Sequence, residues 1–341
     1  MNVAVAQAEL TPSASKRISA AKAWEPALDE WRAWHIFIHD PAAMDRFVAT
    51  ALAQTLSNLP AEASGFFIRY WENGPHIRLR LRGLKGEHFE SIGEALQLAA
   101  SELAAQSPPR EHGFGEGMQY DSWHPDPANL PWFDSGSVLE IMYEPEWRRY
   151  GGRHGMGVHE RLFVQSSAQV IPVVAATHAA PGKRTGLGLA LTAAAVRIAC
   201  QDDQQFRDFL MIMAQNWTGF IPDQEAAAAQ VSATLSAMGE PAQAQIRNAM
   251  SVDRSDIANP VIAKWANTLS EHFAELRELG RLGLLVNPAT GVATQDDVEL
   301  TQALQNMMFS QIHMHNNRLG ILPQQEYQLA HMLLRMIGGA Q

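Results

Sequence analysis

"HIRLRLR", residues 76–82, places His76, Arg78, Arg80 and Arg82 at every second position, with Ile77, Leu79 and Leu81 between them. Alternate side chains of a strand point to opposite faces, so the pattern predicts a strand with one cationic and one apolar face. Same-face neighbours lie about 7 Å apart, so Arg78 and Arg80 repel each other unless something negative lies against them. Arginine forks suit carboxylates, which they hold through paired hydrogen bonds. The competing reading is a solvated sheet face balanced by the chain's own acids.

Working outward, "GFFIRYW" (65–71) precedes this strand across "ENGP", and Asn73-Gly74 marks a hairpin turn. "WRAWHIFIH" (31–39) reads as a buried strand. "PAAMDRFVATALAQTL" (41–56) reads as a helix with Pro41 in its first turn. "EHFESIGEALQLAASELAAQ" (87–106) is a further helix, and "SVLEIMYEP" (137–145) is a strand stopped near Pro145. The tract 107–135, with its Gly and Pro residues, reads as a long loop. From about residue 186 onward helix-forming runs dominate, with long amphipathic stretches at 257–280 and 295–318 and a last helix opened by Pro323. The expected class is α+β: an N-terminal mixed sheet with flanking helices, packed against a largely helical C-terminal half. Residues 1–28 are expected to be poorly ordered and 29–341 to form one domain, sheet-rich over 29–185 and helical over 186–341.

Composition narrows the function. With 46% hydrophobic residues in 341, a substantial core is available. The balance of 26 Lys+Arg against 36 Asp+Glu, a net charge of −10, argues against direct nucleic-acid binding, which needs a basic surface. The cationic strip is therefore local, as a site would be. Cys200 is the single cysteine, which rules out an intramolecular disulfide and a cysteine-rich zinc site. The N-terminal stretch lacks the pattern of a signal peptide, and no window approaches the roughly 20 apolar residues of a membrane span. A cytoplasmic protein without membrane contact is expected.

Two other segments carry candidate chemistry. In "YEPEWRRYGG" (143–152), Glu146 and Arg149 can pair across a helical turn, and Tyr150 leads into Gly151-Gly152, a pair free to adopt backbone geometry that other residues resist. This segment reads equally well as a structural corner. "SQIHMHNNRLG" (310–320) falls on a helix expected to open near 295, with Thr294 and Asp297 as a capping box and Gly320 as its C-terminal cap. Leu300, Leu304, Met307, Met308 and Ile312 form its apolar stripe. Asn306, Ser310, His313 and Asn317 follow a separate polar face, and Asn317 is placed one turn from His313 to orient its imidazole. His315 points elsewhere, so the two histidines have the wrong spacing for two ligands on one face, and no metal site is expected. "GFGEG" (113–117) completes no nucleotide fingerprint, and no P-loop, HExxH or GxSxG occurs.

"WRAWHIFI", "FFIRYWENGPHIRLRLRG", "YEPEWRRYGG…ERLFVQSS" and "HMHNNRLGI", in that order, resemble the lantibiotic dehydratase C-terminal family, also called the thiopeptide-type bacteriocin biosynthesis family. The resemblance spans roughly residues 31 to 338. It implies action on a leader-bearing, ribosomally made precursor peptide. A separate tRNA-dependent enzyme would glutamylate serine or threonine, and this chain, as a stand-alone form, would eliminate the glutamate to leave dehydroalanine or dehydrobutyrine. By motif, the family's elimination residues fall on Arg78, Arg80, Arg149 and His313. Glu146, His76, Asn317 and Tyr150 are the candidates for holding substrate around them. β-Elimination removes a Cα proton and expels a carboxylate. Arginines, Arg149 foremost, stabilise the developing charge, and His313 serves as the acid–base group. Neither a metal nor another cofactor is implied, whereas homodimerisation is. Two rival functions share the pattern: a pyridine synthase that joins two dehydroalanines and ejects the leader, and a non-catalytic peptide-binding partner of the glutamylating enzyme. Retention of the four elimination residues favours elimination. Leader recognition is expected by strand addition to an exposed edge of the N-terminal sheet.

Overall fold

The computed structural model describes residues 31–107 and 131–338. The cation-bearing strand pairs on both sides, in a four-stranded sheet of order β2-β3-β1-β4. The strands are β1 (Arg32–Phe37), β2 (Ser64–Tyr70), β3 (His76–Arg82) and β4 (Val138–Met142). Between β1 and β2, α1 (Pro41–Phe47) runs through a π-helical turn (Val48–Leu52) into α2 (Ala53–Ser57). Asp40 caps α1 by accepting the Ala43 N–H at 2.7 Å, and Pro41 occupies the first turn. The hairpin turns where expected, with Asn73 at φ 66° and Gly74 at φ 111°, the left-handed geometry that such a tight connection demands. α3 (Gly86–Ala105) precedes β4.

The rest is helical: α4 (Gly152–Thr177), α5 (Lys183–Ala199), α6 (Asp203–Trp217), α7 (Gln224–Ala237), α8 (Glu240–Met250), α9 (Pro260–Arg281), α10 (Asp297–Leu319) and α11 (Pro323–Gly338). Ile77, Leu79 and Leu81 join Trp34, Ile36 and Phe67 on one sheet face, and this face continues into a core shared with the helices. Trp34 stacks on Phe89 of α3 at 3.5 Å. The α+β class is as expected.

Three expectations need correction. The sheet is antiparallel at all three pairings rather than mixed. The part expected to be sheet-rich contains the 26-residue helix α4; its glycines, its Ser166-Ser167 pair and its internal Pro172 break the apolar periodicity. Those small residues are needed because α4 is buried on most sides: a Cβ on Gly155 would collide with the Tyr150 carbonyl. Lastly, α10 is capped by Asp296, whose carboxylate accepts from Val298 and Glu299, so Thr294 and Asp297 do not form the cap. Gly320 closes that helix in the left-handed conformation, as expected. Residues 1–28, most of the 107–135 tract and the "GFGEG" stretch lie outside the described residues. Among the described residues no helix is long and apolar enough to cross a membrane.

The two sheet edges differ. Along β2, side chains of α4 and α10 replace a neighbouring strand. Ser167 accepts the Phe67 N–H at 3.1 Å, and Arg318 donates to the Phe67 carbonyl at 2.7 Å. Asn317 accepts from the Arg69 N–H at 2.8 Å and donates to its carbonyl at 2.9 Å. No such cover is found along β4 among the described residues.

Burial also sets an acid limit. Loss of water, with lesser help from neighbouring positive groups, pushes the pKa of His35, His159 and His315 down to about 3 and that of His76 to about 2. In the unfolded chain the same rings bind protons near 6.5. Between these values the unfolded state holds more protons, so stability falls as the pH is lowered from 6.5 towards 3. From pH 6.5 to 5.5 each buried neutral ring is expected to remove about 1 kcal/mol. Chemical denaturation along a pH series checks this, and a stability that is flat over that unit would contradict it.

Candidate active site

The cationic face of β3 is not a solvated surface. Antiparallel pairing sets Phe66 of β2 and Ala33 of β1 opposite Arg80, and Ile68 and His35 opposite Arg78. Each guanidinium lies against an aromatic ring: Arg78 at 3.4 Å from the Tyr70 centroid, Arg82 at 4.9 Å from Trp31, and Arg80 at 5.4 Å from Phe66 and 5.2 Å from Tyr143. These rings supply attraction without consuming the charge.

Arg78 is held from two sides. Its Nε donates to His76 Nε2 at 3.1 Å, and Glu72 stands 3.7 Å from its Nη2. His76 in turn donates from Nδ1 to the Gly74 carbonyl at 2.8 Å, which fixes the tautomer that can accept from Arg78. His76 is fully buried with both nitrogens engaged, so it orients Arg78 and has no free atom for substrate. Arg80 differs: its Nε and Nη1 are buried without a partner. Loss of water pulls its pKa down to about 10, with Tyr143 opposing and Arg78 adding to the fall. An unsatisfied, desolvated guanidinium is costly to keep and is a ready receptor for an anion.

The corner after β4 brings the second group. Glu146 and Arg149 pair at 3.0 Å, as expected, and Arg149 Nε also donates to Ser310 of α10 at 3.2 Å. Burial works against the Arg149 charge, but Tyr150 and Glu146 outweigh it and raise its pKa. Tyr150 itself is core, 3% exposed and packed on His159 and Phe163. Its phenol pKa is raised to about 12 by burial, so it walls the site from behind.

His313 lies one turn beyond Ser310 on α10, half-buried beside the Trp217 ring at 4.8 Å. Asn317 does not orient it, because both ends of that amide are bound to the Arg69 backbone on β2. The orienting group is Glu326 of α11, fully buried, with Oε1 2.6 Å from His313 Nδ1 and Oε2 3.3 Å from Asn316 Nδ2. A carboxylate on Nδ1 leaves Nε2 as the atom available for proton transfer. Arg318, next on the helix, is fully buried, and no acid partners it among the described residues. It binds the Phe67 and Met314 carbonyls and the Ser166 and Ser167 hydroxyls, and loss of water lowers its pKa to about 9.

Four participants were not singled out from the sequence. His35 faces Arg78 only through the β1–β3 register. Tyr143 comes to Arg80 from the end of β4. Glu160 of α4, buried behind it, accepts the Trp31 indole N–H at 2.9 Å. Glu326 resembles an ordinary first-turn helix acid. Among the described residues no group of three or more His, Cys, Asp or Glu is arranged to hold a metal ion. Arg78, Arg80, Arg149 and the Tyr70 and Tyr143 phenols cluster at the sheet face, whereas the contacts of His313 among the described residues are with Glu326 and Trp217.

Residues 31–337 match the family described as lantibiotic biosynthesis dehydratase, C-terminal. Among solved structures, the pyridine synthase TbtD from thiomuracin biosynthesis superposes with a TM-score of 0.64 at 16% identity, covering 91% of this chain and 98% of its own. TsrL gives 0.64 at 14% identity over 90% and 94%. The tRNA-dependent lantibiotic dehydratase MibB from Microbispora sp. 107891 gives 0.47 at 17% identity, over 92% of this chain and 28% of that one. No curated protein matches the chain in sequence.

Proposed function

Because this chain belongs to the lantibiotic dehydratase C-terminal family, we propose that it matures a ribosomally made, leader-bearing peptide by β-elimination of glutamate from glutamylated serine or threonine. The observation that carries this reading is the Arg80 guanidinium, whose Nε and Nη1 are buried without a partner in an aromatic cage, on the sheet face that also holds Arg78. A leaving carboxylate supplies the negative partner that Arg80 lacks, beside an Arg78 already paired with Glu72. His313, through Nε2, transfers the proton: the Cα–H bond breaks, its electrons form the Cα=Cβ bond, and the Cβ–O bond cleaves to release glutamate. Arg149 steadies the enolate-like charge that develops on the peptide carbonyl. The glutamyl ester is made beforehand by a separate tRNA-dependent enzyme.

The test is a mass spectrum of a leader-bearing peptide with glutamyl esters on its serines after incubation with the purified chain. Loss of glutamate, abolished in Arg149→Ala, is expected. If glutamate is retained but the chain converts a peptide carrying preformed dehydroalanines, ejecting its leader with a pyridine chromophore, it is a cyclase. Tight binding without either conversion makes it a non-catalytic partner.

A further inference from the structure

Among the described residues, β4 is the uncovered edge of the sheet. The Phe37 N–H bonds to the Ser137 carbonyl, and antiparallel pairs alternate. Leu139 and Ile141 therefore turn their backbone groups to β1, while Val138, Glu140 and Met142 turn theirs outward. None of these outward groups has a hydrogen-bond partner among the described residues, in contrast to the covered β2 edge. The flanking side chains are apolar and exposed: Met142 is 82% exposed on one face and Ile141 39% on the other. Glu140 adds little net charge, because Arg32 pairs with it at 2.8 Å. At the start of the strand an open cavity of ≈ 600 Å³ runs beside α3, lined by Gln97, Ser101, Ser135 and Ser137 among others.

We infer that β4 is a docking strand for an extended segment of the precursor peptide, which adds to the sheet as a fifth strand. This rests on the function proposed above and supplies its recognition step. An edge with outward backbone groups asks for main-chain hydrogen bonds, and a lining whose charges are paired with each other asks for a segment with apolar or small side chains at alternate positions. Two observations favour a peptide over a second copy of this chain. A five-residue edge is about 17 Å long, too short by itself to bury the roughly 1,200 Å² of a stable dimer interface. In addition, β4 runs straight on into Tyr143, Glu146 and Arg149, so a peptide held along it delivers its neighbouring residues to the arginines. Leu139 and Ile141 share that face of the sheet.

The probe is a fluorescein-labelled, leader-bearing precursor peptide, whole and as its N-terminal half, mixed with the full chain. Hydrogen exchange should show new protection at Val138, Glu140 and Met142. Glu140→Pro, which removes an outward N–H, should weaken binding at least 10-fold in fluorescence anisotropy. Glu140→Ala, which keeps that N–H, should bind like wild type, and both variants should keep the wild-type circular dichroism spectrum. Binding with protection elsewhere and an indifferent Glu140→Pro overturns the docking strand and leaves the proposed reaction standing. So does conversion of the peptide without measurable binding at β4. Neither binding nor conversion overturns both. Protection of β4 in the chain alone that grows with its own concentration assigns the edge to a second copy and overturns the proposal as well.

Discussion

Asp45→Ala is expected to destabilise the chain by about 3–5 kcal/mol, because it strips the shared partner from two buried cations. Asp45 is 6% exposed on α1. Its Oδ1 lies 2.8 Å from Arg69 Nη1 on β2, and both of its oxygens accept from Arg184 of α5. Arg184 also donates to the Leu319 carbonyl at 2.6 Å and Arg69 to the Arg318 carbonyl at 3.1 Å. One carboxylate thus clamps the sheet to the end of α10, where the His313 segment finishes. Loss of water already lowers the Arg69 pKa, and Asp45 is the group that opposes the fall. Removing that carboxylate leaves both guanidiniums desolvated and unopposed. Urea denaturation should show a lower midpoint, with Asp45→Asn losing less because the amide oxygen still accepts. The double variant Asp45→Ala/Arg184→Met should recover part of the loss, since it removes one of the two stranded charges. A midpoint unmoved by Asp45→Ala would show that water reaches this network.

The same residue marks what could and could not be read from the chain. In "PAAMDRF" Asp45 beside Arg46 reads as solvated helix charge, and nothing local says that Arg69 and Arg184 converge on it. The strands were legible because alternation is a local signal: "HIRLRLR" announces its two faces, and Asn73-Gly74 announces the turn. The last helices were legible from period and caps, apart from the exact capping residue of α10. α4 was not, because its glycines and serines answer to neighbours across the core rather than to helix propensity. In the candidate site, the Glu146–Arg149 pair formed as its spacing suggested, and the cationic face of "HIRLRLR" carries Arg78 and Arg80 as its alternation suggested. His76 and Tyr150 were chosen for their chemical type, but burial makes them supports. Asn317 was assigned by helical spacing to His313, yet the unpaired β2 backbone claims its amide first. Backbone donors at a sheet edge must be satisfied when helices cover them, and that demand becomes visible only once the edge is known.

His313→Ala is expected to lower the elimination rate by roughly 10²–10⁴-fold, the usual contribution of a positioned acid–base group, while leaving peptide binding largely unchanged. The more informative comparison is at Glu326, whose Oε1 lies 2.6 Å from His313 Nδ1. Glu326→Gln can still accept from the Nδ1–H through its amide oxygen, which keeps Nε2 free but removes the charge that steadies an imidazolium. Glu326→Ala removes both and also frees Asn316, held through Oε2 at 3.3 Å. The expected order of single-turnover rates is wild type, then Glu326→Gln, then Glu326→Ala near His313→Ala. Because Glu326 is fully buried, part of any loss could come from a loosened α10–α11 contact. Urea denaturation separates the two causes. A lost carboxylate charge beside the imidazole slows the reaction in a Glu326→Gln variant whose denaturation midpoint is unchanged. A packing defect lowers the midpoint together with the rate. Equal rates in wild type and Glu326→Gln would show that His313 works without its carboxylate, as a hydrogen-bonding group rather than a proton carrier.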